Sequence, residues 1–121
     1  MTKEYTSLGL MSGTSMDGVD ASIIKSDGIS KYEVILDKYF PYNDEIIEKM
    51  QRIKGKIKKS KDLGNFQKEL SLIEKELTLF NSKIAMEVMD KYDGNVQLIG
   101  YHGQTIFHNG DEKITKQLGN G

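Results

Sequence analysis

Cysteine is absent from this sequence, and proline occurs once, at Pro41. Without cysteine the chain can form neither a disulfide framework nor a cysteine-based zinc site. The net charge of −1 leaves no electrostatic footprint for nucleic acid. No apolar run reaches the length of a membrane span, and residues 1–5 lack the apolar core of a signal peptide. We therefore expect a cytoplasmic protein that binds neither nucleic acid nor a membrane.

Hydrophobic residues make up 37% of the 121 positions, which is enough for one domain with a buried core. We expect residues 1–121 to form a single domain. Alternating apolar residues predict strands, and apolar residues three and four positions apart predict helices. In chain order these are strands over residues 5–11, 19–25 and 32–40, a helix capped by Asn43 that ends in the lysine run at 54–61, a helix over 62–91, and strands over 96–100, 105–108 and 114–118.

The predicted long helix over residues 62–91 carries an apolar stripe whose steps alternate between three and four. The stripe consists of Leu63, Phe66, Leu70, Ile73, Leu77, Phe80, Ile84 and Val88. A coiled coil would bury this stripe on a partner chain, whereas a helix lying across a sheet would bury it within the same chain. We favour the second arrangement because strands are predicted on both sides of the helix.

Three local features complete the prediction of secondary structure. Gly94 is suited to a left-handed cap that ends the long helix. The continuous apolar run over 96–100 predicts a strand that is buried on both faces. Residues 109–111, Asn-Gly-Asp, predict a type I′ turn between the last two strands.

The turn between the first two strands gathers small polar residues and one carboxylate. Gly13 and Gly18 permit positive φ angles and close approach, while Thr14 and Ser15 carry hydroxyl donors. Asp17 would repel a phosphate unless a cation lay between them, so the set suits a nucleotide with magnesium. On chemistry alone a plain hairpin turn explains the cluster better. The lysine of the Walker A loop is missing.

The literal strings change this balance. Residues 11–20, MSGTSMDGVD, resemble the amino-terminal signature of the anhydro-N-acetylmuramic acid kinases. Residues 99–108, IGYHGQTIFH, resemble that family's His-Gly-Gln-Thr segment, and residues 117–121, QLGNG, resemble the start of its next block. The order and separation of the three strings also match. The resemblance runs from end to end of the chain and covers about the first third of a family member.

The resemblance, together with the element order β-β-β-α-α-β-β-β, implies an α/β fold. We expect a mixed β-sheet with packed helices, the amino-terminal half of an actin-like ATPase (ribonuclease H-like) fold. The early strands should pair antiparallel, and a parallel strand should follow the helices. The single domain would then be incomplete relative to the full kinase.

The resemblance also implies that the first turn binds the phosphates of ATP. The residues carried over to this role are Gly13, Thr14, Ser15, Met16, Asp17, Gly18, Val19 and Asp20. Asp17 is the candidate contact to magnesium, through water, because Mg²⁺ keeps several of its waters. We expect Met16 to pack and Asp20 to brace the turn from the next strand.

The second segment is the candidate sugar site, made of His102, Gly103, Gln104 and Thr105. Ligand sites favour the carboxyl ends of strands in α/β sheets, so we expect this segment to meet the first turn at one edge of the sheet. Gly103 permits close approach to a ligand, and Gln104 and Thr105 suit sugar hydroxyls. Taken alone, His102 is explained better as a structural histidine. We expect His108 to be an ordinary strand residue and expect no zinc site.

Members of the family use ATP to phosphorylate O6 of 1,6-anhydro-N-acetylmuramic acid while water opens the anhydro ring, giving N-acetylmuramic acid 6-phosphate in cell-wall recycling. The family's general base is an aspartate from a segment beyond Gly121. The resemblance therefore implies ATP, magnesium and the sugar as ligands, with no catalytic residue in this chain and no activity of the chain alone. A homodimer of the full-length protein stays open. The alternative function is a non-catalytic remnant or binding module that keeps the half-fold.

Overall fold

The computed structural model describes residues 3–121. Its elements, in chain order, are β1 (Tyr5–Ser12), β2 (Gly18–Ser26), β3 (Tyr32–Pro41), α1 (Asp44–Lys56), α2 (Asp62–Asn65), α3 (Gln67–Lys91), β4 (Leu98–Tyr101), β5 (Gln104–Asn109) and β6 (Ile114–Leu118). No helix among these residues is long and apolar enough to cross a lipid bilayer.

Four strands form a mixed sheet in the order β3-β2-β1-β4. The pairs β1/β2 and β2/β3 are antiparallel, whereas β4 runs parallel to β1. Strands β5 and β6 form a separate antiparallel pair. The chain therefore has the predicted α/β architecture, with a mixed sheet and packed helices, and it is consistent with the amino-terminal half of an actin-like ATPase fold.

One face of the sheet forms the core together with α1 and α3. Leu8 and Leu10 of β1 pair with Ile23 and Ala21 of β2, and all four side chains are buried. The stripe of α3 lies in the same core, which confirms burial within the chain. Its buried members are Leu70, Ile73, Leu77, Ile84 and Val88, and its partly buried members are Leu63, Phe66 and Phe80. Burial of this area from water is the main force that holds the helices on the sheet.

The start of α1 is capped as predicted. Asn43 has an extended backbone, and its Oδ1 accepts a hydrogen bond from the Ile46 N–H at 2.8 Å. Acidic residues occupy the first turn of the helix and lysines the last, so both ends complement the helix dipole.

The predicted helix over 62–91 is divided, because Phe66 leaves helical geometry at φ −111° and ψ 20°. Gly64 and Asn65, both weak helix formers, precede the break. The predicted cap at Gly94 is wrong as well. The helix ends at Lys91, and Tyr92 is the cap, with an extended backbone whose N–H still donates to the Val88 carbonyl.

The prediction that the fourth strand is buried on both faces is also wrong. Leu98 and Ile99 of β4 are 52% and 56% exposed. The cause is position, because β4 is an edge strand that pairs only with β1 among the described residues. The β5–β6 hairpin is confirmed, but its turn is not type I′. Residues 110–113 make the connection, and Lys113 (φ 56°) is the residue in the left-handed region.

Candidate functional site

The candidate site is built on the turn between β1 and β2, residues 13–17, which we call the first loop. The loop is held at both ends by backbone bonds. The Met16 N–H donates to the Gly13 carbonyl at 3.3 Å, and the Tyr42 N–H donates to the Asp17 carbonyl at 2.9 Å. Met16 is buried, as expected, whereas Thr14 and Ser15 are exposed. The loop therefore presents polar side chains outward on an anchored backbone.

The left-handed residue of the first loop is Met16, at φ 57°, and neither Gly13 nor Gly18 has a positive φ angle. The expectation for the two glycines is wrong in that respect. At Gly18 the close neighbour is β3, since an added Cβ would lie 2.5 Å from the Phe40 carbonyl oxygen and 2.5 Å from the Tyr39 hydroxyl. Gly18 is thus required by packing against β3.

Asp17 is the exposed carboxylate of the first loop. The Ser15 hydroxyl donates to its Oδ1 at 2.9 Å. This bond, with a smaller contribution from the Tyr39 hydroxyl, holds the pKa of Asp17 below its ordinary value of 3.8. The group is therefore ionised at neutral pH, and its side chain is exposed to solvent. An exposed carboxylate beside two hydroxyls is a hard-oxygen set that fits Mg²⁺.

The remaining two residues of the predicted ATP segment lie on β2. Val19 is fully buried in the core. Asp20 is exposed and lies between Met11 and Tyr39 in the sheet register. Its carboxylate makes no hydrogen bond within the described part of the chain, so the expected brace on the turn is not present.

Directly under the first loop lies a set of buried side chains, Ser12, Tyr42 and Gln104, which we call the polar triad. Each of the three is at most 5% exposed. The Gln104 amide nitrogen donates to the Gly13 carbonyl at 2.7 Å, and its oxygen accepts from the Tyr42 hydroxyl at 3.1 Å. The hydroxyls of Ser12 and Tyr42 are 3.0 Å apart. Burial raises the pKa of Tyr42, so its phenol stays protonated and can donate.

The polar triad confirms that the two predicted segments meet at one edge of the sheet. Ser12 and Tyr101 are the carboxyl ends of β1 and β4, which run parallel, and β5 begins at Gln104. Sequence reasoning missed Tyr42 and Ser12. The signal for Tyr42 was weak, since it is one of six tyrosines, and nothing local marks its hydroxyl for burial.

The other members of the second segment are arranged differently from expectation. An added Cβ on Gly103 would lie 2.7 Å from the Leu118 carbonyl oxygen, so this glycine allows close approach of β6. His102 is exposed, and its Nε2 lies 3.0 Å from Nε2 of Gln117, which also donates to the Thr105 hydroxyl at 3.4 Å. His108 is an exposed strand residue whose Nδ1 lies 2.7 Å from the Thr115 hydroxyl.

A solvent-open cavity of about 300 Å³ lies between the first loop and β5. Its polar lining consists of Thr14, Lys54, Thr105 and His108. The first loop and the second segment thus border one common space, with a lysine from α1 at its side. Lys54 was not predicted as a site residue, because a helix end was favoured over a phosphate-binding patch as the explanation of the lysine run.

Comparison with known proteins identifies one family. A family profile described as anhydro-N-acetylmuramic acid kinase matches residues 5–121. An anhydro-N-acetylmuramic acid kinase of Pelagibacter ubique is 53% identical over 121 residues, which are 100% of this chain and 32% of that protein. One of Agrobacterium fabrum is 34% identical over 129 residues, covering 100% of this chain and 33% of the relative.

A relative of the same name from Rhizobium etli is 35% identical over 119 residues, covering 96% of this chain and 32% of the relative. The chain thus spans about a third of the length of the curated relatives it matches. Since the profile match takes in the first loop, the second segment and every strand and helix between them, the chain belongs to the anhydro-N-acetylmuramic acid kinase family.

Proposed function

We propose that this chain is the amino-terminal part of an ATP-dependent sugar kinase. The reaction proposed is phosphorylation of 1,6-anhydro-N-acetylmuramic acid, with hydrolytic opening of the anhydro ring to N-acetylmuramic acid 6-phosphate, in cytoplasmic recycling of cell-wall sugars. The observation that carries the proposal is the 2.7 Å hydrogen bond from Gln104 to the Gly13 carbonyl. This bond brings the nucleotide-side and sugar-side segments to one place, as transfer between two ligands requires.

The first loop is the proposed site for the ATP phosphates. Thr14 offers a hydroxyl donor on a backbone held by hydrogen bonds, while Ser15 donates its hydroxyl hydrogen to Asp17 and orients that carboxylate. Asp17 would hold a hydrated Mg²⁺ at the edge of the loop. The lowered pKa of Asp17 keeps its carboxylate ionised for that contact, and such an ion would offset the charge of the phosphates.

The proposed sugar side is the cavity between the first loop and β5. Thr105 and His108 offer hydrogen-bond partners for sugar hydroxyls, and Lys54 offers a cation for the carboxylate of a muramic acid. His102 and Thr105 both contact the side-chain amide of Gln117, which places them close together, and we propose His102 as a further contact to the sugar.

A substitution of Asp17 tests the metal part of the proposal. The test protein is a chimaera in which this chain replaces the matching third of the Pelagibacter ubique relative, which is 53% identical. In Asp17→Asn, we expect kcat to fall by roughly 10–100-fold, the usual cost of losing an indirect partner of a bound metal. Part of the loss should be recovered at high magnesium concentration. Because Asp17 is exposed, the melting temperature should stay nearly unchanged.

The matched control is Asp93→Asn, which removes another exposed carboxylate from the stretch before β4, at the opposite end of the sheet. This variant should keep its kcat. If Asp17→Asn retains activity within a few-fold, Asp17 is a turn residue without a metal role. The purified chain alone should release no ADP in response to the anhydro-sugar, since the family's base lies beyond residue 121. The homodimer of the full-length protein stays a prediction.

A further inference from the structure

We propose that Gln104 is a positioning residue that shapes the first loop for phosphate binding, instead of a contact to the sugar. Its side chain is 1% exposed, so no ligand can reach it without displacing neighbours. Both hydrogens of its amide are used, one on the Gly13 carbonyl at 2.7 Å and one on the Thr105 carbonyl at 3.3 Å. Its oxygen accepts from Tyr42. The amide therefore has no donor left for a sugar hydroxyl.

The orientation of this amide is fixed by its partners. The carbonyls of Gly13 and Thr105 can only accept, so the NH₂ group must face them. The oxygen then faces Tyr42, whose single hydroxyl hydrogen is committed to it. Ser12 must in turn donate to the Tyr42 oxygen, across 3.0 Å. The polar triad therefore forms a one-way chain of hydrogen bonds that ends on the first loop.

The consequence for the first loop follows from the geometry of the peptide bond. The Gly13 carbonyl and the Thr14 N–H belong to one planar trans unit and point in opposite directions. Because Gln104 holds the carbonyl inward, the Thr14 N–H is directed outward, beside the exposed side chains of Thr14 and Ser15. This N–H has no acceptor among the described residues. The inference is that Gln104 presents the Thr14 N–H as a backbone donor to an ATP phosphate.

The inference rests on the proposed function of the loop, and nuclear magnetic resonance of the chain can separate the two. In the free wild-type chain, the Gln104 side chain should give two resolved, slowly exchanging N–H signals. Titration with ATP and Mg²⁺ should then shift the Thr14 backbone signal. In Gln104→Leu, the Thr14 signal should differ from that of the wild type already in the free chain. The ATP concentration needed to shift this signal halfway should rise roughly tenfold or more.

Asn81→Leu is the matched control, since it removes a second amide that is 5% exposed, on α3. Its Thr14 signal and its response to ATP should equal those of the wild type. A general effect of losing a buried amide would instead appear in both variants.

Gln104→Glu adds a readout that a purely structural role would not give. A carboxylate there repels the Gly13 carbonyl, whereas a protonated carboxyl can donate to it and still accept from Tyr42. Burial disfavours the charged form, so protonation should begin above the ordinary range of a glutamate. The response of Gln104→Glu to ATP should therefore approach that of the wild type as pH falls from about 8 to about 5.5.

Kinetics in the chimaera distinguish the loop role from a sugar contact. Gln104→Leu should raise KM for ATP or lower kcat, and KM for the anhydro-sugar should change less. A larger effect on the sugar would overturn the inference. So would an unchanged Thr14 signal in Gln104→Leu, or a Gln104→Glu variant without pH dependence. If the wild-type chain and the wild-type chimaera both fail to respond to ATP, the proposed function of the loop fails, whatever the variants do.

Discussion

The substitution Leu77→Ala tests the claim that the α3 stripe is buried on the chain's own sheet. Leu77 is 1% exposed and lies in the core cluster with residues of β1, β2 and α1. Because residues of both the sheet and the helix layer surround Leu77, they can fill little of the cavity that the substitution leaves. We therefore expect the free energy of unfolding to fall by about 3–4 kcal/mol, within the range for buried leucines. With an m value of roughly 1.5 kcal/mol/M, a loss of about 3 kcal/mol lowers the urea midpoint by about 2 M.

The assay is urea unfolding of the purified chain, followed by the helical circular dichroism signal. Leu79→Ala is the matched control, because Leu79 lies two positions away on the same helix and is 54% exposed. Its free energy of unfolding should change by less than about 0.5 kcal/mol. Equal midpoint shifts in the two variants would refute the packing described here, as would a concentration-dependent midpoint that points to a partner chain.

Two further predictions concern single turns. Backbone N–H groups of Ile29, Lys31 and Ser30 lower the pKa of Asp27, so its contribution to stability is present above the ordinary carboxyl value of 3.8 and is lost as pH falls through the lowered value. In Asp27→Asn, the melting temperature should therefore depend less on pH in that acidic range. A pH dependence equal to that of the wild type would contradict this. Gly103→Ala should destabilise the chain in thermal melts, because the new Cβ would lie 2.7 Å from a carbonyl oxygen. Gly64→Ala is its control, because an added Cβ at Gly64 would have no atom within 4 Å. Equal melting temperatures of the two variants would show that β6 moves to accommodate the new Cβ at no cost.

Local patterns predicted those parts of the fold that depend on neighbours in sequence. The N-cap at Asn43 needs only the next few residues, and the stripe of α3 follows from helical spacing alone. The first hairpin was predictable for the same reason, since its alternation of apolar and polar residues is local. The actin-like fold and its parallel β4 were predicted from the family resemblance together with the element order, because a parallel pairing across two helices leaves no signal within one stretch of sequence.

The errors arose where distant contacts decide the outcome. The apolar run that contains Leu98 and Ile99 predicted a buried strand, but both side chains are exposed because β4 lies at the edge of the sheet. Gln104 was predicted as a contact to the sugar from the family resemblance and from the donors and acceptors of its amide. Its real partners are Gly13 and Tyr42, which lie 91 and 62 positions away. No pattern within one stretch of sequence indicates such a pairing, so the segments were predictable and the inward direction of the side chain was not.

The hydrogen bond between Gly13 and Gln104 also bears on the order of folding. The hairpin of β1 and β2 closes a short loop and can form early, whereas joining residues 13 and 104 closes a loop of 91 positions. Contacts of such long range are slow to form, and they delay the steps that depend on them. The first loop would therefore acquire its final shape late, once β5 has docked. During synthesis, a chain that has emerged only through α3 would contain the whole first loop but not Gln104, whose hydrogen bond holds the Gly13 carbonyl.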